Sequence, residues 1–315
     1  MADTNLLIFV GATKAGTSWP YRYLLDHQEC HVFSLKEYYY FSNIYFYKLK
    51  LKLTAVSASI IECDAQFVEA ETARNVSAVL ALGRKIDDMT ALMAVLSGYR
   101  IAYSAYFNYR HAGRTDEPAL LDVTLTYSFL ATTQIERLAQ LQIPLKILLL
   151  MRDPMERLWS HVTMHVKRTL SEGQDFVVLC QGILEPILFD NAEAHTVKRG
   201  DYKTNIRRFD AVSNRTDFCC EFAENLTCGP RLAAMCRFLG VTATSPAKAK
   251  SAHVHLPAPF LEALRGYGLQ FLKTQHDFFA EHFGSLPEAL QKKLGDFSVI
   301  KQNINGYYYS QEGGA

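Results

Sequence analysis

At 315 residues the chain is long enough to bury about three quarters of its unfolded surface, and 49% hydrophobic against 21% charged residues excludes a disordered polypeptide. Lys and Arg number 33 against 32 Asp and Glu, a formal charge of +1, so there is no general basic field for a nucleic-acid backbone and any anion site is local. The apolar runs are far too short to cross a bilayer. The first of them, Leu6-Leu7-Ile8-Phe9-Val10, ends at Gly11 and predicts a buried parallel strand. A turn through Gly16 then leads into a helix over 18–26, with Tyr21, Leu24 and Leu25 on one side and Pro20 tolerated in its first turn. Residues 64–98 read as mostly helical, Ala and Leu recurring at three and four. Apolar runs at 119–123 and 143–151 follow, and Pro154 starts a helix after the second, with Asp153 placed to cap it. Further helices are expected over 202–209, 230–239 and 260–283. Strands alternate with helices, without repeats or a Pro/Gly/Ser-rich linker. The expectation is an α/β fold, a single domain over 1–315 with a central, mostly parallel sheet flanked by helices.

Seven cysteines (Cys30, Cys63, Cys180, Cys219, Cys220, Cys228, Cys236) lack CxxC spacing, which disfavours a structural zinc site and a dense disulfide framework. Cys219 or Cys220 with Cys228 would close one short loop; buried free thiols are the simpler reading. The first residues show neither the basic stretch nor the small-residue cleavage site of a signal peptide, so a cytoplasmic, reducing setting is expected. On that expectation the glycosylation-type triplets at Asn75, Asn214 and Asn225 are chance occurrences.

Two constellations carry chemistry. Gly11-Ala12-Thr13-Lys14-Ala15-Gly16-Thr17-Ser18-Trp19 is a strand-to-helix turn, whose backbone N–H groups and helix N-terminus can wrap an anion. The glycines let the backbone come close, and Thr17 and Ser18 add hydroxyls. A triphosphate loop would place lysine directly after its second glycine; here Thr17 follows Gly16 and the lysine is Lys14, inside the loop. The second constellation is Arg152-Asp153-Pro154-Met155-Glu156-Arg157-Leu158-Trp159-Ser160-His161. Arg152 sits at the carboxyl end of a strand, where open α/β sheets bind ligands. Ser160, about two helical turns on, forms a polar stripe with Arg157. A guanidinium and a hydroxyl suit a phosphate monoester, although Arg152 paired with a nearby carboxylate and a solvent-facing Ser160 would look the same.

Taken together, the two resemble a family. Lys14-Ala15-Gly16-Thr17-Ser18-Trp19 is similar to the 5′-phosphosulfate loop of sulfotransferases, KxGT[ST], and Arg152-Asp153-Pro154 with Arg157 and Ser160 resembles their 3′-phosphate motif, RDPxxRxxS. Lys36-Glu37-Tyr38-Tyr39-Tyr40-Phe41 resembles the KExHFF-type segment of the heparan-sulfate and bacterial carbohydrate branch, and Lys198-Arg199-Gly200-Asp201-Tyr202 its RGxYxxxLxxW segment. The resemblance spans about 6–240 and implies a fold related to nucleotide kinases. It also implies the donor 3′-phosphoadenosine 5′-phosphosulfate (PAPS), leaving as 3′-phosphoadenosine 5′-phosphate (PAP), and a hydroxyl-bearing acceptor, carbohydrate or glycan-like.

Carried over by position, Lys14 contacts the phosphosulfate and steadies the leaving oxygen. The loop Lys14, Ala15, Gly16, Thr17, Ser18 and Trp19 holds the 5′-phosphate, chiefly through backbone N–H groups of 16–18. Arg152 and Ser160 grip the 3′-phosphate, and Glu37 is the general base. Those roles need no metal. One departure is Asp122-Val123-Thr124-Leu125-Thr126-Tyr127, aligned with an EKxPxY segment, where Val123 replaces the lysine and leaves a second active-site lysine unassigned.

Other features admit plainer readings. His161 and His165, four apart on one helix, lack the carboxylate of an HExxH site and suit helix packing or an acceptor cleft. Tyr38 to Phe41 with Tyr45, Phe46 and Tyr47 would stack on sugars or fill a core. Lys248-Ala249-Lys250-Ser251 reads as a basic loop, and Tyr307 to Tyr309 as a tail. The alternatives in function are a lipid- or polyketide-alcohol sulfotransferase, a nucleotide kinase, which the missing lysine after Gly16 opposes, and a catalytically idle nucleotide- or glycan-binding relative.

Overall fold

Unbroken burial along two strands sets the architecture. In the computed structural model β1 (Asn5–Gly11) is buried at every position after Asn5, and the later strand Leu145–Met151 at every position but Lys146. Successive strand side chains point to opposite faces, so this pattern requires cover on both. The structure describes residues 5–32, 37, 39–41, 49–97, 119–141, 143–190, 194–212, 216–226, 229–244 and 261–283.

After β1 come α1 (Ser18–Leu25), β2 (Cys30–Val32), the long helices α2 (Leu49–Thr72) and α3 (Val76–Leu96), and β3 (Ala119–Val123). A 3-10 turn (Leu125–Phe129) and α4 (Thr132–Leu138) lead to β4 (Leu145–Met151) and α5 (Pro154–Thr169). The chain continues through α6 (Phe176–Asp190), α7 (Ala194–Lys198), α8 (Tyr202–Asp210), β5 (Asp217–Phe222) and α9 (Gly229–Leu239). Helices α10 (Leu261–Phe271) and α11 (Lys273–His282) end the described part. The strands form one sheet in the order β2-β3-β1-β4-β5, every pairing parallel. From β1 the chain departs toward β2, whereas from β4 it departs toward β5. The carboxyl ends of β1 and β4 therefore flank the switch point at which open α/β sheets bind ligands.

The main core joins β1 and β4 to Leu24 of α1, Met89 and Leu92 of α3, Phe209 of α8 and Phe279 of α11. A second cluster packs Leu158, Val162 and Val166 of α5 against Cys180, Leu184 and Ile187 of α6. This fixes which face of α5 turns inward.

Several expectations are refined. The helical stretch expected over 64–98 begins at Leu49 and breaks after Thr72, because Asn75 caps α3 by accepting from the Ala78 N–H at 3.1 Å. The helix expected over 260–283 is two, divided at Leu272. β5 and α6 carry no sequence expectation; β5 is a half-buried edge strand whose polar and apolar residues do not alternate cleanly. Cys228, Asn214, Lys36, Tyr38, Tyr45, Phe46, Tyr47, the 248–251 stretch and Tyr307 to Tyr309 lie outside the described residues. Among the described residues no helix is long and apolar enough to cross a membrane.

Candidate active site

The turn after β1 is shaped by two left-handed residues, Lys14 (φ 72°) and Gly16 (φ 77°). The Ala15 N–H bonds the Ala12 carbonyl at 3.0 Å, and the Trp19 N–H bonds the Gly16 carbonyl at 3.1 Å as α1 begins. Glycine at 16 is demanded twice over: by φ, and because a Cβ there would lie 3.0 Å from the Ala223 Cβ. Thr17 precedes α1 without capping it through its side chain.

Across the switch point, Arg152 follows β4. Its backbone N–H donates to the Tyr202 hydroxyl at 3.1 Å, and its guanidinium lies 3.3 Å from Glu156. Asp153 caps α5 as expected, one carboxylate oxygen accepting from the N–H groups of Met155 (2.8 Å) and Glu156 (3.0 Å). The Asp153 N–H donates to Glu224 at 3.2 Å, and burial pushes the Glu224 carboxyl up from its ordinary value.

The polar stripe expected of Arg157 and Ser160 does not form. Arg157 is 1% exposed and donates to the Thr196 carbonyl at 3.0 Å, while Ser160 with Met164 and Arg168 forms the open stripe of α5. The room for Arg157 comes from Gly200, where a Cβ would sit 2.8 Å from the guanidinium carbon. The segment from Arg199 to Tyr202 thus has separate tasks. Gly200 admits Arg157, Asp201 caps α8 by accepting from the Thr204 N–H at 3.1 Å, and buried Tyr202 holds the backbone of Arg152. We expect Gly200→Ala to destabilise the protein by about 1–3 kcal/mol through overpacking, read as a lower urea midpoint at unchanged m-value.

Glu37 reaches the cleft from beside β3. Its N–H donates to the Val123 carbonyl at 2.9 Å, and its carboxylate accepts from the Leu125 N–H at 3.1 Å. The Tyr39 hydroxyl also bonds Glu37; burial, with the Glu37 charge second, pushes that phenol up to about 12, so it is a donor at any working pH. Asp122 is 0% exposed and accepts from the hydroxyls of Thr124 (2.6 Å) and Tyr127 (3.2 Å), an anchor beneath the site. Of the aromatic run, Tyr39 faces the cleft, whereas Phe41 packs edge-on against Tyr127 at 5.6 Å in the core.

These elements enclose one cleft of about 400 Å³, lined by Lys14, Gly16, Thr17, Ser18, Glu37, Arg152 and Ser160. Seven residues singled out from the sequence therefore converge. Ala15 and Trp19 are placed otherwise: Ala15 is buried in the core, and Trp19 stacks on Tyr23 at 5.7 Å. The lining also includes Tyr39, one of the aromatics expected to stack on sugars or fill a core, and Thr126, Arg168 and Arg199, to which the sequence assigned no role. Arg168 was findable as Ser160 plus two steps of four along one helix face. His161 is buried and His165 exposed, so the pair does not share a site. Among the described residues no three His, Cys, Asp or Glu side chains are grouped to hold a metal ion.

The crystal structure of a sulfotransferase from Alicyclobacillus acidocaldarius is similar to 92% of this chain and to all of its own, at 19% identity and a TM-score of 0.50. The fold is the sulfotransferase fold. It is the α/β class expected from the alternation of strands and helices. No protein-family model and no curated protein matches the sequence.

Proposed function

We propose that the protein is a PAPS-dependent sulfotransferase that sulfates a hydroxyl group of a carbohydrate acceptor. The observation that carries this is the meeting, in one cleft, of two separate grips suited to anions, one after β1 and one after β4, with the Glu37 carboxylate held at the end of β3. One grip is the loop at the start of α1, where Gly16 lets an anion approach backbone N–H groups and Thr17 and Ser18 add hydroxyls. The other is Arg152 with Ser160 on the opposite wall. A nucleotide with phosphate on both its 3′ and 5′ positions matches that donor set. The lack of a lysine after Gly16 speaks against a nucleotide kinase.

When bound, PAPS supplies the sulfuryl group. Glu37, fixed by the Leu125 N–H and the Tyr39 hydroxyl, takes the acceptor's proton as the acceptor oxygen–sulfur bond forms. Lys14 holds its ammonium where charge gathers as the bond between sulfur and the bridging phosphate oxygen breaks. Tyr39, Thr126, Arg168 and Arg199 give the Glu37 end of the cleft a ring and several hydrogen-bond donors, as recognition of a polyhydroxylated ring requires. The likeness of 36–41 and 198–202 to the carbohydrate branch supports the same acceptor class, and the cysteine usage a cytoplasmic setting.

Calorimetry with PAP, AMP and ATP tests the donor. Charge-assisted hydrogen bonds contribute about 1.5–3 kcal/mol each, so PAP is expected to bind at least about tenfold tighter than AMP, and Arg152→Ala to erase most of that preference. Equal affinity for PAP and AMP, or a preference for ATP, would overturn the assignment.

A further inference from the structure

Val123 leaves the end of β3 without the lysine that the aligned motif carries, yet an ammonium reaches that place from another element. Lys52 projects from the first turns of α2, where its neighbours Lys50 and Leu51 are exposed while Lys52 itself is half-buried. Its Nζ donates to the Glu37 backbone carbonyl at 3.1 Å and lies 4.7 Å from the centre of the Tyr39 ring. Burial lowers the proton affinity of Lys52, and the charges of Glu37 and Asp122 oppose that shift. An ammonium withdrawn from water in this way is tolerated because carbonyl, ring and carboxylates surround it.

The backbone that Lys52 touches is unusual. Glu37 (φ 67°) and Tyr39 (φ 59°) are both left-handed and neither is glycine. Such conformations persist only where the surroundings over-determine them. Two restraints come from the β3 side: the Glu37 N–H on the Val123 carbonyl at 2.9 Å and the Tyr39 N–H on the Thr124 hydroxyl at 3.5 Å. The third is the Lys52 bond to the carbonyl of Glu37, made from α2.

We propose that Lys52 is a positioning residue for Glu37: it pins the left-handed segment from α2, so that the Glu37 carboxylate stays on the Leu125 N–H and faces the cleft, with a positive charge beside it. This rests on the reading of Glu37 as the base. It also gives the helical pair α2–α3, inserted between β2 and β3, a direct part in the active site.

The test compares Lys52→Met, which keeps length but loses charge and donor, with Lys52→Arg, which keeps both. Amide exchange needs no acceptor: the Glu37 and Leu125 amides are expected to exchange at least about tenfold faster in the Met variant and near the wild-type rate in the Arg variant. With an acceptor, Lys52→Met is expected to lower kcat by about tenfold or more while PAP affinity is unchanged, with Lys52→Arg recovering most of the loss. Added to Glu37→Gln, Lys52→Met should cost nothing further, because a positioning residue has no effect once its target is gone. Should the Met variant fail to fold, Lys52→Gln replaces it with the same expectations for kcat and the double variant. Unaltered exchange and kcat, or losses that multiply in the double variant, would overturn the role of Lys52. A wild-type protein that binds PAP yet sulfates no acceptor would count against the proposed function instead, and amide exchange would still decide the proposal for Lys52.

Discussion

Replacing Glu37 by Gln is expected to slow single-turnover sulfuryl transfer by at least about a hundredfold while leaving PAP affinity at its wild-type value. The substitution keeps the shape of the side chain and its acceptor for the Leu125 N–H, now 3.1 Å from the carboxylate, but removes the group that can carry a proton away. Its rivals are committed elsewhere. Asp122 is fully buried under two hydroxyl donors, Asp153 caps α5, and Glu156 lies 3.3 Å from the Arg152 guanidinium. Tyr39, pushed up to about 12, stays protonated, and neither His161 nor His165 lines the cleft. The pH profile gives a second check. Wild-type turnover should fall on the acid side as the carboxylate takes up a proton, and that limb should vanish in Glu37→Gln. An unchanged rate and profile would remove Glu37 from the mechanism.

What was legible in the sequence is local. The turn after β1 announces itself because its glycines, lysine and hydroxyls lie within eight residues, and the start of α5 because a capping Asp and a Pro at the first helical position are neighbours. β1 and β4 were legible from their unbroken apolar runs, since strands buried on both faces need no alternation. β5 was not, because an edge strand reading Asp-Phe-Cys-Cys-Glu-Phe shows neither pattern. Arg157 illustrates a different limit. Helical spacing places it near Ser160, but only the missing Cβ of Gly200, forty-three positions later, opens the space that draws its guanidinium inward. Lys52 was invisible for the same reason: no spacing rule connects the first turns of α2 with the end of β3, and their meeting is a product of the fold.

Lys14→Ala is expected to lower turnover by about 10²–10³-fold and to weaken PAP binding far less. On the proposed function, the loop's backbone N–H groups and the Arg152–Ser160 pair would hold the phosphates in the ground state, so the ammonium would add one contact among several. As sulfur departs, negative charge accumulates on the bridging oxygen, and an ammonium fixed in the cleft gains strength at that moment. The backbone offers a control. Lys14 is left-handed at φ 72°, a conformation that glycine adopts without cost and alanine does not. Lys14→Gly should therefore leave the loop at least as well formed as Lys14→Ala, by roughly 1 kcal/mol in unfolding free energy, yet be just as slow. If the glycine variant recovers wild-type turnover, the lysine serves the turn rather than the leaving group. If both variants lose PAP affinity and turnover in equal proportion, its charge acts on bound nucleotide and transition state alike, and the leaving-group role assigned to Lys14 fails.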